Sequence, residues 1–204
     1  MADEMGIFDV MFSNRAMRRI KPDDLPEDLL RQLIEAANQA PTASNNQNTR
    51  WIIVRDAEQK QKLADLNREA RRVAYGDPVP ATDPAMARRQ AASKWHTEHL
   101  QDVPAHFIAC IEFENRPADT FRGGVGTGGS VWPAVQNLLL AARALGLGAV
   151  PTTLPLMDRE AAKAVLGLPG NVDPFCLIPV GYPMGNFGPV TRKPIDEILR
   201  WDRW

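Results

Sequence analysis

Apolar positions along the chain fall into two periods, one helical and one extended. Leu29, Leu30, Leu33, Ile34 and Ala37 recur at helical spacing. Pro26 is placed as the first helical residue, with Glu27 and Asp28 in the first turn, where negative charge meets the positive end of the helix dipole. The helix stops before Pro41, because a residue preceding proline disfavours the helical region. Trp51-Ile52-Ile53-Val54 is a short continuous apolar run, the pattern of a buried strand. Asp56 then stands as the cap of a helix carrying Leu63, Leu66, Ala70 and Val73. Residues 76–84 are rich in proline and polar side chains and predict a loop. A basic, aromatic helix with Trp95, His96 and His99 follows, ended near Pro104, and residues 107–113 read as a strand.

The second half opens on a glycine-rich stretch, residues 115–129, which predicts a surface flap. Pro133 is expected to open the most apolar helix, with Val135, Leu138, Leu139, Ala142 and Leu145 on one side. Leu140, Ala141 and Ala144 occupy the other side. A helix apolar all round needs cover on both sides, which in a chain this short implies a dimer interface. Gly146 and Gly148 end it, and residues 149–154 run extended. Asp158 caps a short helix closed by Gly167, residues 175–180 form another strand, and residues 195–199 form a last short element. At least three strands interleaved with about five helices indicate an α+β or α/β sandwich. No repeat or linker divides the chain, so residues 1–204 read as one domain with lid-like excursions near 72–104 and 115–130.

Composition sharpens this mainly by exclusion. Lys and Arg number 24 against 25 Asp and Glu, a net charge of -1, which argues against general nucleic-acid binding. Cys110 and Cys176 lie in apolar runs and form no Cys-x-x-Cys pair, so a disulfide framework is not expected. The longest apolar tract, 131–150, is interrupted by Gln136, Asn137 and Arg143 and makes a poor membrane span. The first residues are acidic where a secretory signal would be basic. The expectation is a reduced, cytoplasmic protein.

Several motifs bear on chemistry. Gly124, Gly126 and Gly129 formally satisfy G-x-G-x-x-G, but no strand precedes them and no acid follows at the required distance, so a flexible loop is the expected reading. His96 and His99 sit one helical turn apart, without an H-E-x-x-H sequence, and a partly packed helix face is expected rather than a metal site. No G-x-S-x-G elbow or Walker A sequence is present. Arg15, Arg18 and Arg19 are either surface charge or a phosphate fork, and Arg192-Lys193 is a second basic pair. The polar stretch Ala40-Pro41-Thr42-Ala43-Ser44-Asn45-Asn46-Gln47 is either an ordinary connection or a wall for a polar planar ring.

Taken in order, these segments resemble the FMN-dependent nitroreductase family. The matching pieces are Arg15-Ala16-Met17-Arg18-Arg19, Ala40 to Gln47, the Gln136-Asn137-Leu138-Leu139-Leu140 helix ending in Gly146-Leu147-Gly148, Gly181-Tyr182-Pro183 and Arg192-Lys193-Pro194. The resemblance implies an α+β sandwich with a central, mostly antiparallel sheet flanked by helices. It also implies a homodimer with FMN sites at the interface and NADH or NADPH as electron donor. Arg15, Arg18 or Arg19 and the distant Arg192 are then expected at the FMN phosphate, with the backbone at Ala16 standing where the family often has serine. Pro41, Thr42, Ala43, Asn45 and Gln47 are expected to contact the flavin from the partner subunit, although Asn48-Thr49 replaces the family's usual Pro-Trp. Pro151, Thr152 and Thr153 fall where the family places backbone donors near the flavin. No acid–base residue and no metal ligand is implied, since the chemistry is the cofactor's. The implied reaction moves a hydride from NAD(P)H through flavin N5 to a nitroaromatic, quinone or similar electron-poor small molecule by a ping-pong mechanism. The alternatives are a dehalogenase or flavin-fragmenting enzyme of the same fold, or a non-catalytic flavin-binding protein.

Overall fold

Strand β2 (Ala105–Glu112) is buried along nearly its whole length and organises everything around it. Its neighbours are β1 (Thr49–Val54) and β4 (Val172–Gly181), both antiparallel, and β4 carries the two-residue β3 (Gly148–Ala149) on its far side, giving the order β1-β2-β4-β3. The computed structural model describes residues 5–76, 79–114 and 120–204. Side chains alternate across the sheet as the pleat requires. Phe107, Ala109 and Ile111 enter one core with Trp51, Ile53, Cys176 and Ile178. Ile108 and Cys110 enter the other with Ile52, Val54 and Leu177. The register shifts between Ala109 and Cys110, where β4 carries an extra residue next to Pro174. A bulge at that point accommodates a proline that cannot donate to the ladder.

The first core is closed by α2 (Glu27–Asn38) and α5 (Thr120–Ala144), and the second by α3 (Ala57–Tyr75) and α6 (Arg159–Leu166). Helix α4 (Pro84–Glu98) packs beside α3, while α1 (Ile7–Ser13) and α7 (Ile195–Ile198) lie near the two ends of the chain. The expected α+β sandwich is present, with four antiparallel strands and seven α-helices among the described residues. The caps act as read from the sequence. Asp56 accepts from Gln59 N–H, Asp158 from Ala161 N–H, and Gly167 closes α6 in the left-handed conformation. Pro26 stands one residue before α2 rather than inside it, and Val73 is 67% exposed rather than part of the buried face of α3.

The glycine-rich run is the main correction. Helix α5 begins at Thr120, so residues 120–129 are helix and Pro133 lies inside it; the rest of the expected flap, residues 115–119, lies outside the described residues. Glycine costs a helix about 1 kcal/mol and an interior proline about 3 kcal/mol, so local propensity argues for a break. Packing outweighs it. A Cβ at Gly128 would come 3.2 Å from Trp132 Cδ1, and buried Ser130 accepts a hydrogen bond from Ala43 N–H at 3.1 Å. Downstream, Val131, Ala134, Val135, Leu138 and Ala142 are buried. The cover over α5 is not complete: Trp132 is 44% exposed, and Leu145, just past the end of the helix, is 37% exposed.

Two glycines let the arginine-bearing N-terminal segment lie on the sheet. A Cβ at Gly181 would meet Ile20 Cγ2 at 2.5 Å and Pro104 Cγ at 2.9 Å, and one at Gly148 would meet Met17 Cβ at 3.0 Å. Gly181→Ala is therefore expected to destabilise the fold by about 1–3 kcal/mol through overpacking. For a chain of this size that corresponds to roughly 2–4 °C of melting temperature per kcal/mol. An unchanged melting temperature would show that the contact at Ile20 is not tight.

Candidate functional site

Residues 14–21 carry the arginine cluster past the β3 edge of the sheet. Met17 N–H donates to Ala149 carbonyl at 3.1 Å, Lys21 N–H to Tyr182 carbonyl at 2.8 Å, and Met184 N–H to Arg19 carbonyl at 3.0 Å. Met17 and Ile20 turn inward and are buried. Arg18 is half-buried, whereas Arg15, Ala16 and Arg19 remain exposed. The chain leaving β3 is fixed just as firmly, because Thr152 and Leu177 exchange backbone hydrogen bonds at 2.8 and 2.9 Å. Arg18 is thereby brought against Val150, Pro151, Thr152, Thr153 and Leu154, the wall of a cavity of about 260 Å³.

The opposite walls come from helices. Asn67, Arg71 and Tyr75 recur every four residues on α3 and so share one face, and Ser93, His96 and Thr97 line the cavity from α4. Asn67 is 1% exposed, and neither its amide oxygen nor its amide nitrogen has a hydrogen-bonding partner. Such a group costs about 1–3 kcal/mol while it has no partner. An amide offers both a donor and an acceptor, so it is suited to the edge of a polar heterocycle.

The cavity is electropositive. Arg18 and Arg71 enter it, and no Asp or Glu lines it among the described residues. Burial lowers the Arg18 pKa from its ordinary value. His96 is held down to about 4, first by burial and then by the charges of Arg18 and Arg71. Neither of its ring nitrogens has a well-aligned hydrogen bond, the nearest backbone group being that of Arg18. His99 points elsewhere, stacked on Trp95 with ring centroids 4.4 Å apart and bonded to Asp102 at 2.8 Å. Cys110 and Cys176 are buried in the sheet, and burial pushes both thiols up to about 12.

Within one chain only part of the expected site assembles. Arg18 meets Pro151, Thr152 and Thr153. Arg192 is exposed and donates to Thr191 carbonyl, while its segment joins the N-terminal one where Val190 N–H bonds Phe12 carbonyl at 3.1 Å. Pro41, Thr42, Ala43, Asn45 and Gln47 lead into β1, the strand at the opposite edge of the sheet from β3. Three strand spacings, roughly 14 Å, separate that edge from β3. The loop is nevertheless shaped: Ser44, Asn45 and Gln47 all have positive φ, and Gln47 N–H is held by Thr42 Oγ1 at 3.0 Å. Positive φ at three non-glycine residues is uncommon and marks a backbone held for a purpose. Neither Asn67 nor Arg71 is among the candidate site residues read from the sequence. The available signal was a polar residue four positions after Leu63, on the apolar stripe of α3.

The sequence pattern of the nitroreductase family matches residues 13–182. This chain belongs to the nitroreductase family. It is 31% identical over 199 residues to an NADH dehydrogenase of Thermus thermophilus, covering 92% of this chain and 91% of the relative. It is 27% identical to an iodotyrosine deiodinase of Thermotoga neapolitana, covering 95% of each chain. A crystal structure of oxidised iodotyrosine deiodinase bound to FMN and 3-iodo-L-tyrosine superposes with a TM-score of 0.77 at 25% identity, covering 98% of this chain and 100% of that one. Family membership makes the chain an NAD(P)H-dependent flavin oxidoreductase, with FMN as its cofactor. The residues present fit that group. The unpartnered Asn67 amide meets the need for donor and acceptor at a ring edge, and Arg18 supplies fixed positive charge without a competing carboxylate. No helix among the described residues is long and apolar enough to cross a membrane.

Asn67→Leu is expected to raise the melting temperature of the FMN-free protein, because an unsatisfied amide gives way to an apolar side chain of similar volume. The same change should weaken FMN binding, read by quenching of flavin fluorescence. Unaltered FMN affinity would remove Asn67 from the site.

The buried histidines set a pH dependence. His106, whose Nε2 lies 2.8 Å from Leu100 carbonyl, is also held down to about 4, chiefly by burial. As pH falls below the ordinary value of 6.5, the unfolded chain protonates while the folded one does not. Stability is therefore full above that value and declines towards pH 4, by about 1.4 kcal/mol for each unit of depression per histidine. In thermal melts of the FMN-free protein, His106→Asn should show a shallower decline across this window than the wild type. Parallel curves would contradict the assignment.

Proposed function

We propose that this protein moves reducing equivalents from NAD(P)H to a small electron-poor acceptor, a nitroaromatic or quinone, in alternating half-reactions at one site. The observation carrying this reading is the cavity, without a carboxylate among its described lining residues, in which the family's Arg18 and 151–153 segments converge on the orphaned amide of Asn67. FMN, when bound against Arg18, Asn67 and residues 151–153, would supply the two-electron redox chemistry. For a nitro compound the balance is R–NO2 + NAD(P)H + H⁺ giving R–NO + NAD(P)⁺ + H2O.

The chain's own residues have more limited tasks. Arg18, charged at any working pH and partly withdrawn from water, compensates negative charge placed against it. His96, with its pKa near 4, is neutral at pH 7 and offers hydrogen bonds rather than a proton. None of the described residues lining the cavity carries a carboxyl group, so the proton consumed comes from solvent. The phosphate falls to Arg15, Arg18 or Arg19, the Ala16 backbone and Arg192, whose segments the Val190–Phe12 bond brings together.

The working unit in this reading is a homodimer, in which the partner subunit's residues 41–47 complete the flavin wall. Three features support it. The strained 41–47 loop leads into β1, three strands from β3 in the sheet order, Trp132 on α5 and Leu145 just past its end are exposed, and α1 exposes Ile7, Phe8 and Phe12. A second reading, reductive dehalogenation with the balance Ar–X + NAD(P)H giving Ar–H + NAD(P)⁺ + X⁻, is favoured by the full-length similarity to iodotyrosine deiodinases.

FMN-loaded protein should lose its yellow colour on anaerobic addition of NADH or NADPH and regain it with nitrobenzoate or a quinone. Release of iodide from an iodophenol without turnover of the nitro compound would select the second reading, and a protein that holds no FMN would end both. Arg18→Glu and Arg192→Glu should each weaken FMN binding by roughly 10–100-fold, the loss of a charge-assisted hydrogen bond. Diluting the protein should release flavin together with dissociation of the dimer. A monomer that retains FMN would exclude the shared wall.

A further inference from the structure

We propose that Arg71 selects the acceptor by binding the carboxylate of an anionic, electron-poor aromatic compound, an inference that rests on the oxidoreductase reading above. Helix α3 carries three arginines close together, and they are not equivalent. Arg68 pairs with Asp65 and donates to Gln101 Oε1 at 3.1 Å. Arg72 is bound by Glu69 at 2.6 Å. Arg71 faces the cavity and has no carboxylate partner among the described residues. Its contacts are a hydrogen bond to Ser93 Oγ at 2.9 Å and the Tyr75 ring, whose centroid lies 5.4 Å from its guanidinium carbon.

Those two contacts orient the guanidinium without neutralising it. Ser93 and Tyr75 fix its plane, while most of its N–H donors stay free for a ligand. A planar fork held in this way matches a carboxylate bidentately. Tyr75, 65% exposed, offers its ring beside that fork, where an aromatic acceptor can stack. Arg18 enters from the opposite wall, on the segment that carries the family's cofactor motif, so Arg71 is the cation left for the second ligand. The two guanidinium groups of Arg18 and Arg71, with no acid among the described lining residues, disfavour cationic and zwitterionic acceptors at this position.

An anion at Arg71 has two possible sources, the acceptor's carboxylate or a phosphate of the nicotinamide donor, and the test separates them. FMN-loaded wild type, Arg71→Gln, Arg71→Lys and Arg72→Gln are compared on 4-nitrobenzoate and its methyl ester, with FMN affinity and reduction by NADH and NADPH measured separately. Arg71→Gln is expected to raise KM for 4-nitrobenzoate about tenfold, with KM for the ester within about twofold of wild type. FMN affinity and both reductive half-reactions should be unchanged, Arg71→Lys should recover part of the loss, and Arg72→Gln should behave as wild type. Equal effects on acid and ester would overturn the proposal. So would a defect confined to reduction by NADPH, which would assign the anion to the donor, or a loss of FMN affinity, which would make Arg71 a cofactor ligand. Wild-type protein that holds FMN yet reduces neither compound would defeat the oxidoreductase reading itself, whereas turnover of both compounds with a silent Arg71 would overturn this inference alone.

Discussion

The close approach of residues 14–21 to the β3–β4 edge governs where the chemistry of this protein is held. Gly148 and Gly181 leave room that a single methyl group would fill, and the space admits Met17 and Ile20 to the core. Backbone hydrogen bonds from Met17 and Lys21 then fix the segment in register with the chain leaving the sheet. Arg18, between the two buried side chains, is directed into the cavity. Its position therefore follows from sheet packing rather than from any contact that its own side chain makes. A functional group on a segment held by the core is better positioned than one on a free loop.

The same cavity keeps polar groups that folding alone would remove. Asn67 is buried without a partner, Arg18 is partly desolvated without a carboxylate, and His96 remains neutral between two guanidinium groups. Each is unfavourable in an empty site and becomes favourable when a polar, anionic ring system fills it. By contrast, Asp173, buried at the start of β4, is paired with Arg159 and Lys163. Structural charge in this fold is neutralised internally, and the cavity is where it is left open.

Much of this was legible in the linear pattern. The apolar stripe of α2, the capping by Asp56 and Asp158 and the continuous apolar strands gave the sandwich, because each depends on local periodicity or on one side chain and its nearest backbone donor. The glycine-rich run misled for a related reason. Glycine and proline count as helix breakers only while neighbours are ignored, and the hydrogen bond from Ala43 N–H to buried Ser130 is a tertiary contact that no local preference records. Asn67 and Arg71 were obscured because a polar residue on a helix reads as solvated until the opposing wall is known.

The amino-acid sequence by itself determined the fold class, the family and the cofactor chemistry, since ordered motifs and hydrophobic periods survive in one dimension. Tertiary structure decided which of the marked residues work together. It joined Arg18 to Thr152 across more than a hundred residues, added Asn67, Arg71 and His96, and placed β1, into which residues 41–47 lead, at the other edge of the sheet from β3. The physical reason is that burial and partnership belong to pairs of surfaces. Whether an amide or an arginine lacks a partner depends on what the fold brings opposite it.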